Sequence, residues 1–150
     1  MRIVFTVGAL LTLSTLLTAA DPIVGTWKLN LEKSKLHNPV QSYALKIELN
    51  PPNTYRCVFD VVNTKGDKRH VEIIRISDGI EHPVEGVNAP MGVTEVTSQD
   101  FKHVIRKRDG KVVAEIKGTI SADGNVHTVT QTVTDASGNQ YQELLVFDRQ

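Results

Sequence analysis

Short runs in which apolar and polar residues alternate constrain this chain more than any other feature of its sequence. In the clearest run, residues 42–49, Tyr43, Leu45, Ile47 and Leu49 alternate with polar or small residues. A period of two places alternate side chains on opposite faces of a β-strand. Beyond the first 20 residues, the sequence contains no long apolar period of helical spacing. The pattern therefore predicts an all-β protein.

Eight further runs have the same character, and turn-forming residues such as Asp109-Gly110 separate them. Short strands about 8 to 12 residues apart and joined by hairpins indicate an antiparallel sandwich or barrel. We expect eight to ten strands, with residues 80–85 as a short strand or a loop and helix limited to a turn or two in residues 31–36. The predicted strands are residues 23–30, 42–49, 55–62, 69–76, 93–97, 101–107, 111–121, 126–134 and 140–147.

The run at residues 126–134 favours a barrel over a sandwich. One face carries His127, Val129, Gln131 and Val133, and the other carries Val126 and a row of threonines. A sandwich interior requires a continuous apolar face, whereas a barrel that encloses a ligand or water tolerates polar groups inside. The expected fold is therefore an antiparallel up-and-down β-barrel.

The first 20 residues have the layout of a secretory signal peptide. Arg2 precedes an apolar stretch at residues 3–17, and Thr18-Ala19-Ala20 ends it with small residues. This stretch is short for a stable membrane span, and Pro22 disfavours continuing a helix, although an uncleaved anchor is the alternative. We expect cleavage after Ala20, a single barrel domain at residues 21–150, export to the periplasm or the medium, and no integral membrane span after cleavage.

Charge gives no reason to expect a nucleic acid or an anionic membrane as partner. The chain has 17 basic and 17 acidic residues, and loss of Arg2 leaves a formal charge of about −1. A protein partner is left open.

Cys57 is the only cysteine, so no internal disulfide can form, and its place in an alternating run predicts a buried apolar role.

One short motif suggests a family. Gly25-Thr26-Trp27 resembles the Gly-x-Trp signature that opens the first strand of lipocalins and of the wider calycin group. In that family the Trp closes one end of an eight-stranded barrel, and a basic side chain from near the end of the chain packs on it. The resemblance implies that Gly25, Trp27 and Arg149 form this structural closure.

Other segments extend the resemblance. Residues 32–35, 78–79 and 83–86 are similar to small exported bacterial proteins with a lipocalin-like domain. The two ends of the chain also resemble fatty-acid-binding proteins, but residues 28–42 are too few for the two lid helices of that family.

The sequence contains none of the stronger local signatures of catalysis. It has no phosphate-binding glycine-rich loop, no Gly-x-Ser-x-Gly turn, no cysteine pair and no His-Glu-x-x-His helix. We therefore predict no enzyme, no catalytic residue, no cofactor and no metal ligand. As a third alternative for function, His70, His103 and His127 lie on separate predicted strands and could converge on haem or a metal, but their spacing gives no support.

The leading hypothesis is a barrel that binds or carries a small, mostly apolar molecule in its interior. An inward arginine could hold a carboxylate or phosphate through two hydrogen bonds. Which faces of residues 69–76 and 101–107 point inward is open, and an outward position for both arginines is favoured. The candidate apolar lining is Tyr43, Leu45, Tyr55 and Phe59, and the candidate polar anchors are Arg75, Arg106 and His127. The alternative is an envelope interaction or structural module whose barrel is filled by its own side chains.

Overall fold

The computed structural model describes residues 20–150, and these residues form ten β-strands and no helix. Consecutive strands are antiparallel neighbours, apart from β4 and β5, and the sheet order is β4-β3-β2-β1-β10-β9-β8-β7-β6-β5. The expected signal peptide, up to residue 19, lies outside the described residues. The strands are β1 Gly25–Leu29, β2 Val40–Asn50, β3 Thr54–Asn63, β4 Lys68–Ile76, β5 Glu81–Pro83, β6 Val93–Thr97, β7 His103–Arg108, β8 Lys111–Ile120, β9 Val126–Thr134 and β10 Gln140–Arg149.

β1 joins the two halves of the chain into one sheet, and this sheet curls into a nearly closed barrel whose β4 end meets β6 at the bridge between Ser77 and Thr97. Trp27 pairs with Leu45 of β2 on one side and with Arg149 of β10 on the other. The predicted antiparallel barrel of eight to ten strands is confirmed, and the undecided residues 80–85 contain the short strand β5. No helix among residues 20–150 is long and apolar enough to cross a membrane.

The predicted turn of helix in residues 31–36 is wrong. This segment forms turns and then lies beside β10, where Lys35 and Leu144 exchange two backbone hydrogen bonds of 2.7 and 2.9 Å. The Ser34 hydroxyl also accepts a bond of 2.9 Å from the Val146 amide. β1 is too short to cover β10, so the extended segment satisfies backbone groups that a helix would leave unpaired.

Gly25, Trp27 and Arg149 lie together where β1 pairs with β10. Trp27 is fully buried, and the Arg149 guanidinium carbon lies 4.1 Å from the centre of its ring. Arg149 also donates hydrogen bonds to the carbonyls of Gly124 at 2.6 Å and Val24 at 2.9 Å. A Cβ atom at Gly25 would lie 2.4 Å from Arg149 Nη1, so glycine leaves the space that the guanidinium occupies.

A short extended segment, residues 84–88, covers the free edge of β4, and we call it the strap. The Glu72 and Ile74 amides donate to the carbonyls of Val87 at 2.9 Å and Glu85 at 3.0 Å. Gly86 lies between them with φ of +145°, and a Cβ atom there would come within 1.9 Å of the Glu72 carbonyl oxygen. The strap therefore requires glycine at this position, and it protects an edge that could otherwise pair with another chain.

We expect Gly86→Ala to lower the free energy of unfolding by about 3 kcal/mol or more, because backbone strain and overpacking each cost roughly 1 to 3 kcal/mol. Gly66→Ala is the matched control, since Gly66 also has a positive φ, of +90°, but a Cβ atom added there would have no neighbouring atom within 4 Å. Its loss should be limited to strain, about 1 to 2 kcal/mol. Urea denaturation of both variants measures the difference, and equal losses would contradict the close packing of the strap.

Candidate functional site

The barrel encloses a cavity of about 230 Å³. Its wall is mostly apolar and is built from the inward-facing residues of the strands on both halves of the barrel. Of the predicted lining residues, Tyr43, Leu45 and Phe59 border the cavity. The rings of Tyr43 and Phe59 lie 6.5 Å apart in an edge-on arrangement, and Tyr43 also packs edge-on against Phe147.

Tyr55 does not border the cavity, contrary to the sequence interpretation. Its side chain is buried, its hydroxyl donates to the Asp21 carboxylate at 2.5 Å, and its ring centre lies 4.3 Å from that of Phe101. Phe101 instead borders the cavity. The alternation of β3 places Tyr55 on the inner face, but it is near the end of the strand, where the N-terminal segment covers it.

Arg75 and Arg106 both face the cavity, which answers the question of orientation that the sequence left open. The outward position favoured for them is wrong. Arg75 shares the inner face of β4 with Val71 and Ile73, which are 8 and 2 % exposed. Of the other residues of β4, Glu72 and His70 lie on the outer face and pair with charged residues of β3: Arg56 lies 2.7 Å from Glu72, and Asp60 lies 2.6 Å from His70.

Glu95 of β6, which was not among the predicted site residues, holds the two arginines together. Arg75 donates to its two carboxylate oxygens from Nε at 2.8 Å and Nη2 at 3.2 Å. Arg106 donates to Oε1 from Nε at 2.9 Å and Nη2 at 2.6 Å. Glu95 is 5 % exposed. Val93, Glu95 and Thr97 share the buried face of β6, but the sequence carries no signal for this, because Val96 gives the opposite face a similar composition.

The cluster of Arg75, Arg106 and Glu95 carries an uncompensated positive charge. Burial alone would raise the pKa of Glu95, but the charges and hydrogen bonds of the two arginines lower it to about 2. Burial also disfavours the charged form of Arg75, but the neighbouring Glu95 carboxylate raises the pKa of Arg75 above its ordinary value. Glu95 and Arg75 are therefore ionised at neutral pH. Because the guanidinium of an arginine stays charged in proteins, Arg106 adds a second cation, and the two cations share one anion next to the cavity.

His127 is the third predicted polar anchor, and it borders the same cavity. Its side chain is 6 % exposed and lies between aromatic neighbours, with ring centres 5.4 Å from Trp27 and 5.9 Å from Phe147. Burial, followed by the charges of Arg149 and Arg75, lowers the pKa of His127 to about 4. The imidazole is therefore neutral at neutral pH.

The three strand histidines do not converge. His70 contacts Asp60 and Glu72 on the outer face, and His103 Nε2 lies 3.0 Å from Glu115, whereas His127 is inside. Within the part of the chain that the structure describes, no group of three or more His, Cys, Asp or Glu residues is arranged to hold a metal ion. The haem or metal alternative based on these histidines is therefore wrong in its geometry.

Two solved structures share this architecture. The fluorescent protein UnaG aligns over 88 % of this chain and 100 % of its own, with a TM-score of 0.56 and 17 % identity. Lobster apocrustacyanin A1 aligns over 87 % of this chain and 62 % of its own, with a TM-score of 0.51 and 8 % identity. The chain has a lipocalin-like fold of the calycin type. At these identities the similarity to both proteins is one of fold.

No protein-family model matches the sequence, and no curated protein is significantly similar to it. The comparisons therefore give the fold alone, and the site must be interpreted from its own chemistry. That chemistry is an apolar cavity bordered by a cationic cluster and a neutral imidazole.

We expect acid to destabilise this calycin-type barrel, first through His127 and then through Glu95. Between pH 6.5 and about 4 the unfolded state binds more protons at His127 than the folded state does, so stability falls on the order of 3 kcal/mol as the pH drops through this window. Ionised Glu95 stabilises the folded state above pH 4.5, and this stabilisation is lost as the pH falls towards about 2, because the folded state lowers the pKa of Glu95.

Urea denaturation at a series of pH values measures these losses. His127→Gln should remove the fall in the free energy of unfolding between pH 6.5 and 4, because glutamine does not titrate. His103→Gln, which removes an imidazole from the outer face, should leave this fall in place. A His127→Gln variant with the wild-type pH dependence from 6.5 to 4 would contradict the assignment.

Proposed function

We propose that this protein binds a small, mostly apolar molecule carrying an anionic group inside its barrel and does not change it chemically. The observation that carries the proposal is the excess of positive charge beside an apolar cavity. Because the first 20 residues have the layout of a signal peptide, we propose that binding takes place in the periplasm or outside the cell.

The size of the cavity limits the ligand. A volume of about 230 Å³ is small beside the roughly 300 to 1,000 Å³ that is typical of small-molecule pockets. We therefore expect a small ligand, such as a medium-chain carboxylic acid. A barrel filled by its own side chains would not contain such a space, so the cavity favours binding over the structural module.

The donors that remain on the arginines suit a carboxylate or a phosphate. Glu95 accepts bonds from Nε and Nη2 of both arginines, so the two Nη1 groups form no bond to it. Burial raises the pKa of Tyr43 to about 12, even though Arg75 and Arg106 act in the opposite direction, so its hydroxyl remains protonated and can also donate. An anionic group in the cavity would balance the charge of the cluster in a medium of low polarity, where such pairing is strong.

The phenylalanines give the cluster its apolar surroundings. The guanidinium carbon of Arg75 lies 6.0 Å from the ring centre of Phe59 and 5.9 Å from that of Phe101. This arrangement provides an orienting charge at one place and an apolar wall around it, which is the usual composition of a small-molecule site.

Native mass spectrometry of the protein purified from its own host is the direct test of ligand binding. The sample should carry a reproducible added mass, which denaturation and refolding remove. Bare protein in both samples, together with no response to a panel of lipids and apolar dyes, would support the filled-barrel module instead.

Calorimetric titration with octanoate and octanol tests the anionic group. Octanoate should bind at least about tenfold more tightly, and Arg106→Gln should weaken octanoate binding by about 10- to 100-fold, because hydrogen bonds to charged groups contribute roughly 1.5 to 3 kcal/mol. Octanol binding should not change. Arg108→Gln, an exposed site on the same strand, makes the same charge change and is the control. Equal binding of the two probes would contradict the role of the cluster.

A further inference from the structure

Phe101 has a backbone conformation that bulky residues rarely adopt. Its φ is +58°, in the left-handed region. Among residues 20–150, the other residues besides glycine with a positive φ are Asn88 and Asp109, and both are of types that this region tolerates. A phenylalanine in this conformation is unfavourable for the turn that contains it, so its presence requires an explanation from the surroundings of its side chain.

A second turn of the same barrel shows which residue this position favours. The turn between β6 and β7 and the turn between β8 and β9 each begin with a serine, Ser98 or Ser121. In both turns the amide of the fourth residue donates to the carbonyl of that serine at 2.9 Å, and the amide of the sixth residue donates to its hydroxyl at 2.9 Å. The fourth residue is Phe101 in the first turn and Gly124, with φ of +76°, in the second. Phenylalanine therefore stands where this turn favours glycine.

The ring of Phe101 enters the barrel from its turn and borders the cavity. Its centre lies 5.9 Å from the guanidinium carbon of Arg75 and 4.3 Å from the ring centre of Tyr55. Tyr55 is buried but does not border the cavity. The cavity therefore ends at the ring of Phe101, on the side where the arginine cluster lies.

We propose that Phe101 sets the upper limit on the size of the ligand, because its ring closes the cavity next to the arginine cluster. Glycine at this position would suit the turn but would leave that end of the cavity open. The inference rests on the proposed function and names the residue that restricts its ligands to small anions. Phe101 is thus a residue that determines specificity, and the volume of about 230 Å³ is the limit that it imposes.

Phe101→Gly tests this inference, because it removes the ring and restores the residue that the turn favours. Calorimetric titration would compare octanoate with two larger acids: dodecanoate, which has a longer chain, and octanoate with a butyl branch on its α carbon. The two acids cover both directions in which the new space could be filled. Relative to octanoate, at least one of them should bind the variant about tenfold more tightly than it binds the wild-type protein, since each additional buried methylene contributes about fourfold in affinity.

Two further variants and a second measurement separate selectivity from folding. Phe101→Leu keeps part of the buried surface and should show a smaller gain for the same acid, and thermal unfolding would check that each variant is folded. Gly124→Ala is the control, because it changes the equivalent turn at a position where a Cβ atom would have no neighbouring atom within 4 Å. It should leave the preference between the acids unchanged. Benzene, which binds in apolar spaces left by a removed side chain, should occupy the space of the missing ring in Phe101→Gly and abolish the gain.

The outcomes separate this inference from the proposed function. Octanoate binding with an unchanged preference between the acids in Phe101→Gly and Phe101→Leu would overturn the role of Phe101 and leave the anionic-ligand proposal standing. An equal gain in Gly124→Ala would likewise overturn it, because the effect would then arise from the turns and not from the ring. Failure of octanoate to bind the wild-type protein would contradict the proposed function, and the inference that rests on it would fall as well.

Discussion

The pairing of the short strand β1 with both β2 and β10 is the constraint on which the rest of the barrel depends. Without it the two halves of the sheet would not face each other, and no interior would form. The pairing is fixed where Arg149 covers Trp27 and binds the carbonyls of Val24 and Gly124. Because a sheet edge with free backbone groups is prone to pair with other chains, the strap at the β4 edge completes the closure that β1 begins.

Once the barrel is closed, its interior contains more charge than an apolar core would tolerate. Buried ion pairs are weak sources of stability, because the cost of removing charges from water offsets much of their attraction. Glu95 compensates one positive charge, and the second arginine remains without an anion in the cluster. For a buried ion pair, replacement by apolar residues is often neutral or stabilising, so Arg75 and Glu95 give the fold little reason of its own to keep them. Their charge fits the anionic ligand that we propose for the cavity.

Local patterns were sufficient to predict the strands, since alternation and turn residues act over a few positions. They were not sufficient where distant residues decide the outcome. Residues 31–36 do not form a helix because Lys35 pairs with Leu144, more than a hundred positions away in the sequence. Tyr55 has the alternation of a lining residue, but Asp21 and Phe101 enclose it. The inward position of the arginines depends on Glu95, which lies 20 positions from Arg75 and 11 from Arg106.

The barrel thus holds an unfavourable feature beside its cavity, a cation that no carboxylate of the cluster balances. It is a cost to the folded state that an anionic ligand would remove, and removal of a cost in the folded state alone is equivalent to stabilisation by binding. The feature that makes the protein less stable by itself would therefore make the binding of an anion tighter and more selective. An apolar molecule without an anionic group would fill the space but leave this cost in place, which is why the charged group, rather than the apolar wall, should decide which ligand is bound.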